Sequence, residues 1–379
     1  MSTHGSANEL HFSAERLRRQ IRLILQGWGM STERARLTAR LMVETDLLGV
    51  ESHGISMLPQ YELLLQRGGL RIDAEPQQVK ETGATALWDG GAGLGHAVSH
   101  AAIHQAIHTA RRFGVALGGV FNSHHFGAAG VYVREATQQG LIALVTSSAQ
   151  GILVVPTRAR VPVLGTNPIA FGAPAGSERA PVILDMATST TAANKIKLMA
   201  MRDQTLPDGW VVDGQGHGVT HAGTARRLLT ERTGGGLTPL GGSPDLASHK
   251  GYGLGLMAQI LSANLNGASF AAAENAQTKN GRPDNVGHSF LVIDPAFFAG
   301  GEAFAAGMAN MVDFLHHTPA LRPEEPVLVP GDPELAAYGR RQQQGVPLPD
   351  ILRAQVAEIA GRAGVAFLLD SADAPGAEA

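Results

Sequence analysis

The chain has 379 residues, enough for two or three domains at roughly 100–200 residues each. Hydrophobic residues make up 44% and charged residues 17%, so a buried core is expected and global disorder is not. A net charge of −3 offers no basic footprint for a nucleic-acid backbone. The absence of cysteine excludes disulfides, thiolate metal sites, iron–sulfur clusters and a cysteine nucleophile.

Met1 to Asn8 is polar, and Phe12 to Trp28 interleaves apolar positions with Arg16, Arg18, Arg19 and Arg22. Neither resembles a secretory leader, and no apolar run reaches the ~18 residues of a membrane span. A cytoplasmic protein with no membrane partner is the expectation. Residues 13–48 read as two helices. Ser13 caps the first, whose Leu17, Ile21, Ile24 and Leu25 recur at helical spacing, and Gly27 and Gly29 end it. Ser31 or Thr32 caps the second, which Gly49 stops. The loop Glu51-Ser52-His53-Gly54 leads into a helix over Leu58–Leu65.

From about residue 79 the signals alternate between strand and helix. Strands are predicted over Thr85–Asp89, Val115–Phe121, Leu141–Ser147 and Val182–Met186, and helices over Ala97–Arg112, Val131–Gln139 and Gly253–Leu265. Such alternation indicates an α/β layered domain. The glycine-rich stretch Thr205–Pro244 reads as a long functional or mobile loop. Helices return over Pro333–Gln344 and Pro349–Arg362, with Pro349 at a first-turn position, and residues after about Ser371 read as disordered.

Several motifs fail on context. Gly-x-Gly-x-x-Gly is absent, and its nearest variant, Gly253-Leu-Gly255-Leu-Met-Ala258, follows Ser248-His249-Lys250 rather than a buried strand. These glycines therefore read as helix contacts or loop glycines, since the dinucleotide fingerprint needs a strand, a tight turn and a helix N-terminus. No Walker loop, His-Glu-x-x-His or Gly-x-Ser-x-Gly occurs.

Histidine is the unusual residue. His96, His100, His104 and His108 recur at i, i+4 on one predicted helix, a spacing that lets two imidazoles share a metal ion. No Asp or Glu lies on that helix to complete a shell, so a polar stripe beside the apolar face is the favoured reading. His53 and the His124-His125 pair lie in Gly-bounded loops at element ends, positions that present side chains to clefts. Histidine exchanges protons near neutral pH, Ser52 can orient it, and Asp185 at the end of an apolar strand needs a partner. Each of these residues also fits a plain turn or cap.

Six motifs in order now bear on identity: Glu51-Ser52-His53-Gly54, Asn122-Ser123-His124-His125-Phe126-Gly127, Gly165-Thr166-Asn167-Pro168, Leu184-Asp185-Met186-Ala187-Thr188-Ser189, His249-Lys250-Gly251-Tyr252-Gly253 and Pro330-Gly331-Asp332. Together they resemble the type 2 malate/L-lactate dehydrogenase family, which includes ureidoglycolate and sulfolactate dehydrogenases, diketogulonate reductase and piperideine-2-carboxylate reductase. The resemblance spans about residues 10 to 360. It implies a non-Rossmann dinucleotide-binding α/β domain over residues 79–314. A helical domain would be built from an N-terminal segment, residues 1–78, carrying the Ser-His loop, and a C-terminal segment, residues 315–379.

The resemblance also implies an NAD- or NADP-dependent homodimer that moves a hydride between nicotinamide and a small 2-hydroxy or 2-oxo acid. His53 matches the proton donor to the substrate carbonyl, with Ser52 and Asp185 in a relay with it, and His125 matches a histidine given that role in the ureidoglycolate branch. Thr166 and Asn167 match a loop at the reacting centre. Ile183, Leu184, Asp185, Met186, Ala187, Thr188, Ser189, His249, Lys250, Pro330, Gly331 and Asp332 match segments that contact the dinucleotide. One position departs from the family: Met57 stands where an arginine commonly clamps the substrate carboxylate, and a thioether cannot supply those two charge-assisted hydrogen bonds. Arg67, Arg71 and Arg158 are the replacement cations considered. A cyclic imine reductase, a catalytically silent binding homologue and, last, a metal-dependent hydrolase on the histidine stripe are the alternatives.

Overall fold

A computed structural model describes residues 10–176, 179–201, 203–231, 234–273 and 284–370. The segment after about Ser371 that reads as disordered lies outside the described residues. Strand β1 (Leu10–Phe12) precedes α1 (Ala14–Gly27), α2 (Thr32–Leu47) and α3 (Leu58–Gln66). Ser13 caps α1 as expected, its side chain accepting from the Arg16 N–H at 3.4 Å. The apolar stripe of α1 buries Leu17, Ile21, Ile24 and Leu25 completely.

The central sheet contains β2 (Gln77–Thr82), β3 (Thr85–Gly93), β4 (Val115–Ser123), β5 (Ile142–Ser147), β6 (Ile169–Ala173), β7 (Val182–Met186) and β10 (Val286–Ile293). Its order is β2-β3-β4-β10-β5-β6-β7. Only β3 and β4 pair in parallel, joined by the crossover helix α4 (Gly95–Phe113); every other pairing is antiparallel. Central strand β10 is the least local piece, since it reaches β4 and β5 from more than a hundred residues downstream. Helix α5 (Gly130–Thr137) covers the sheet beside α4, and Tyr132, Val133, Phe290, Val145 and Ile103 fill the space between.

Residues 205–244 do not form a continuous loop. They hold the short pair β8 (Val211–Val212) and β9 (Gly236–Leu237) and the helix α7 (Ala222–Glu231). With α6 (Ala193–Met201) these elements close a separate apolar cluster around Ile196, Leu206, Val211 and Leu237. Their glycines satisfy local turns, whereas the helix draws its core contacts from residues distant in sequence. Helix α8 (Ser248–Ser262) starts five residues before the predicted Gly253. Gly251 and Gly255 lie where a Cβ would meet the Leu240 backbone and the Thr188 side chain, so they are close-approach positions in a helix.

The C-terminal region adds α9 (Gly301–His316), α10 (Asp332–Gln344), β11 (Val346–Leu348) and α11 (Asp350–Arg362). Pro349 is the cap of α11 rather than its first residue. β1 pairs with β11, and Phe12, Val346, Leu348, Val356, Ile359 and Leu369 share one core with α1, α2 and α3. Among the described residues no helix is long and apolar enough to cross a membrane.

Candidate active site

The loop between α2 and α3 holds two short helical turns, Glu51–His53 and Ile55–Met57. Buried Asp46 of α2 fixes it from below by accepting from the Ile55 N–H at 2.9 Å. No Cβ fits at Gly54, because the Asp46 carboxylate occupies that space. Burial raises the Asp46 carboxyl from 3.8 to about 8, with Glu51 adding to the shift. Arg341, near the end of α10, donates to the Asp46 carbonyl at 2.6 Å and pairs with Glu51. Distant chain segments therefore position this loop.

The loop presents Ser52, His53 and Met57 to a cavity of about 400 Å³. His125, Phe126 and the first residues of α5 form a second wall; Thr166, Ile183, Asp185, Met186 and Ala187 a third; and Gly331, Glu334 and Leu335 close it at the start of α10. Ser52 Oγ lies 2.7 Å from His53 Nδ1, and the His53 and His125 rings stack with centroids 5.3 Å apart. Tyr61 Oη lies 2.7 Å from His125 Nδ1, which also accepts the Gly127 N–H at 3.2 Å. That N–H can only donate, so the neutral His125 ring carries its proton on Nε2. Burial lowers His53 below its ordinary 6.5; burial and the neighbouring His53, His96 and His288 rings push His125 well below it.

The two histidines differ in how they tolerate a second proton. A proton on His125 Nδ1 would face the Gly127 N–H, whereas the Ser52 hydroxyl can donate to or accept from His53 Nδ1. Both charge states of His53 are thus satisfied at Nδ1. Behind them His96 is fully buried with an edge-on contact to Tyr61, and among the described residues neither of its ring nitrogens has a hydrogen-bond partner. Desolvation lowers it to about 3. His124 is turned away, its Nε2 on the Gly69 carbonyl at 2.7 Å.

Asp185, next to last in β7, borders the cavity and is exposed there. It accepts from the Gly130 N–H at 2.7 Å, and desolvation raises its carboxyl from 3.8 to about 6. Among the described residues no ion pair joins Asp185 to His53, so the contact expected in the relay is replaced by one to the first turn of α5. Thr166 borders the cavity. Asn167 does not: it is fully buried, its side chain accepting from the Ala149 N–H and donating to the Gly255 carbonyl.

The segments expected to contact a dinucleotide divide. Ile183, Asp185, Met186, Ala187 and Gly331 border the cavity, and the Ile183 N–H donates to the Pro330 carbonyl at 2.9 Å. Leu184 faces outward; Thr188 and Ser189 are buried, holding the Thr166 and Thr191 carbonyls. His249 and Lys250 are exposed on the first turn of α8 and do not border the cavity. Asp332 accepts from the Val329 N–H and meets His316 Nε2 at 2.8 Å. Arg67, Arg71 and Arg158 also lie off the cavity. Arg134 of α5 borders it instead, its Nε 3.4 Å from Glu44 and its guanidinium over the Tyr338 ring.

Sequence reasoning missed Tyr61, Asp46 and Arg134, and placed His96 only in a helical stripe. The one local signal was available for Tyr61, which lies one turn beyond Met57. The others face the cavity or its loop only through tertiary placement.

The residues describe a cavity lined by the Ser52–His53 pair and His125, an arrangement compatible with an oxidoreductase of the dehydrogenase class. The malate/L-lactate dehydrogenase family model matches residues 12–357. The malate dehydrogenase of Pyrococcus abyssi is 32% identical over 343 residues, 90% of this chain and 92% of that one. A crystal structure of malate dehydrogenase from Entamoeba histolytica superposes with a TM-score of 0.88 at 27% identity, covering 95% of this chain and 99% of its own. That of delta1-piperideine-2-carboxylate reductase from Pseudomonas syringae reaches 0.79 at 30% identity, with 92% and 99% covered. The chain belongs to the malate/L-lactate dehydrogenase family.

Proposed function

We propose that the protein is an NAD- or NADP-dependent oxidoreductase interconverting a small 2-hydroxy acid and its 2-oxo acid. The observation that carries this reading is the Ser52–His53 pair at 2.7 Å on the wall of the cavity. The cavity, about 400 Å³ and open on one side, is the place where the dinucleotide implied by the family would enter. Gly127, Gly130 and Gly331 bring bare backbone to its edge, which leaves room beside them for a planar or anionic group. Ile183, Met186, Ala187 and Gly331 would hold it. When bound, the nicotinamide supplies or accepts the hydride.

The chain's own residues do the rest. His53 gives a proton to the substrate oxygen during reduction and takes it back during oxidation, while Ser52 holds the opposite ring nitrogen in either state. His125, neutral with its proton on Nε2, serves as a hydrogen-bond donor that steers the carbonyl. Asp185, tied to the start of α5, places a carboxylate on the cavity wall opposite the Ser52–His53 loop. Arg134 is the arginine on the cavity wall and stands as the cation for an anionic group, since Met57 supplies none. A homodimer is the working assembly, supported by Phe298, Phe314 and Leu321, which are 70%, 76% and 97% exposed in the single chain.

The test is oxidation of NADH and NADPH at 340 nm against 2-oxo acids, 2-oxo amides, diketo sugars and cyclic imines. Turnover of a 2-oxo acid that drops about 10²–10⁴-fold in His53→Ala, the usual range for general acid catalysis, is the expected result. Near-normal turnover in that variant moves the role to His125. Cofactor binding with no turnover across the panel points to a silent homologue. The apolar wall made by Met57 favours one second reading, a cyclic imine reductase, which the same panel separates.

A further inference from the structure

His100 and His104 do not continue the line of His96. His96 turns inward to the cavity wall, whereas His100 and His104 turn toward α5 with ring centroids 4.3 Å apart. There they meet Glu135, one residue past Arg134. Its Oε2 lies 3.2 Å from His104 Nε2 and its Oε1 lies 3.8 Å from His100 Nε2. One ligand atom from each residue falls within 4.8 Å of the others. The carboxylate that α4 itself lacks is therefore supplied by its neighbour.

We propose that His100, His104 and Glu135 form a binding site for a borderline divalent transition metal such as zinc. Bonds of about 2.0–2.2 Å place the donor atoms around such an ion roughly 3–3.5 Å apart, so small side-chain rotations close the set. Two imidazoles and a carboxylate favour zinc, cobalt, nickel or copper over magnesium or calcium. Glu135 is prepared for the role. Its Oε1 accepts from Arg40 Nη2 at 2.9 Å, while its buried Oε2 faces the histidine pair, 3.2 Å from His104 Nε2. The carboxylate side chain is 13% exposed and the imidazoles 29% and 45%, which leaves an approach for the ion and for water as a remaining ligand. None of the three residues borders the active-site cavity, so the site is separate from the chemistry proposed there. An ion here would tie α4 to α5, the helix whose first turn holds Asp185.

The experiment uses the untagged full chain, stripped with EDTA and titrated with zinc by calorimetry and with cobalt by visible absorption. Expected are one equivalent bound per chain, cobalt bands of a nitrogen–oxygen site, and a melting temperature raised by zinc. In the double variant His100→Ala/His104→Ala the equivalent, the bands and the thermal shift are lost, and in His108→Ala all three remain. The double variant alters partly exposed side chains, and equal circular dichroism and melting temperature in EDTA show that its fold is intact. Glu135→Gln, which keeps the side chain's shape, is a second route to the same loss. No binding by the wild type in excess zinc overturns the proposal, as does unchanged binding by the double variant, which would place the metal at another histidine.

Discussion

At the scale of single residues, Met57 and Asp46 decide the most. Met57 makes one wall of the cavity apolar where the family resemblance implies an arginine, and it stands one turn before Tyr61. Met57→Arg would restore a bidentate partner for a carboxylate. A hydrogen bond to a charged group contributes about 1.5–3 kcal/mol, so KM for 2-oxo acids is expected to fall roughly tenfold or more, with a smaller change for neutral carbonyl substrates. Steady-state kinetics on the two substrate types checks this; an equal effect on both would mean that the wall does not meet the carboxylate.

Asp46 has the opposite character, since it never reaches substrate. Its folded-state carboxyl near 8 lies above the ordinary 3.8, so the native chain keeps a proton that the unfolded chain has lost between those values. Stability from this group is full below about pH 4 and is lost as pH rises toward 8, at about 1.4 kcal/mol per pH unit for one proton. Asp46→Asn removes that slope. Denaturant melts from pH 5 to 8 should show the variant losing less stability than wild type across the range; parallel curves would mean that Asp46 ionises as freely in the fold as outside it. The catalytic pH dependence has its own sign. Reduction needs protonated His53 and should fall as pH rises through a value below 6.5, while oxidation rises over the same interval.

At the scale of elements, helix α4 shows how far local pattern reaches. Its extent is legible, because apolar residues recur with helical period; the structure adds that Gly114, at φ 80°, ends the run. The fate of its histidines is not legible, since i, i+4 spacing says only that neighbours share a face. The tilt against the sheet then buries His96 and leaves His108 in water. Helix α9 escaped notice for a related reason: only Val312 of its residues is buried, so its apolar side chains trace no stripe toward the chain's own core. The junction of β7 with α10 rests on Gly331, at φ 106° with a Cβ position 3.1 Å from the Ile183 nitrogen. Gly331→Ala should cost about 1–3 kcal/mol of backbone strain and weaken cofactor binding. Thermal melts and a dinucleotide titration would show both effects, and unchanged affinity would remove this junction from the dinucleotide site.

At the scale of the whole molecule, the described residues around α9 expose Phe298, Phe314 and Leu321, an apolar surface that a single chain leaves uncovered. The proposed homodimer would cover it. Light scattering should give twice the 39.6 kDa of one chain, and Leu321→Glu with Phe314→Glu should shift the protein toward monomer. A wild type that scatters as a monomer at all concentrations would sink the assignment.

By itself the sequence determined the class of layers, most helix boundaries, the Ser52–His53 loop and the oddity at Met57, because periodicity, capping and short motifs act over a few residues. Tertiary structure alone decided the rest. It inserted β10 between β4 and β5, turned Thr205–Pro244 from a loop into a small core, and bound the chain's two ends into one layer through β1 and β11. It also sent Asp185 to Gly130 instead of His53, buried Asn167, and brought Arg134 to the cavity and Glu135 to the histidine pair. The physical reason is common to all of these. Each depends on which residues meet across a sheet or between helices, and that is settled by burial and hydrogen-bond satisfaction summed over the whole fold rather than by any local run of side chains.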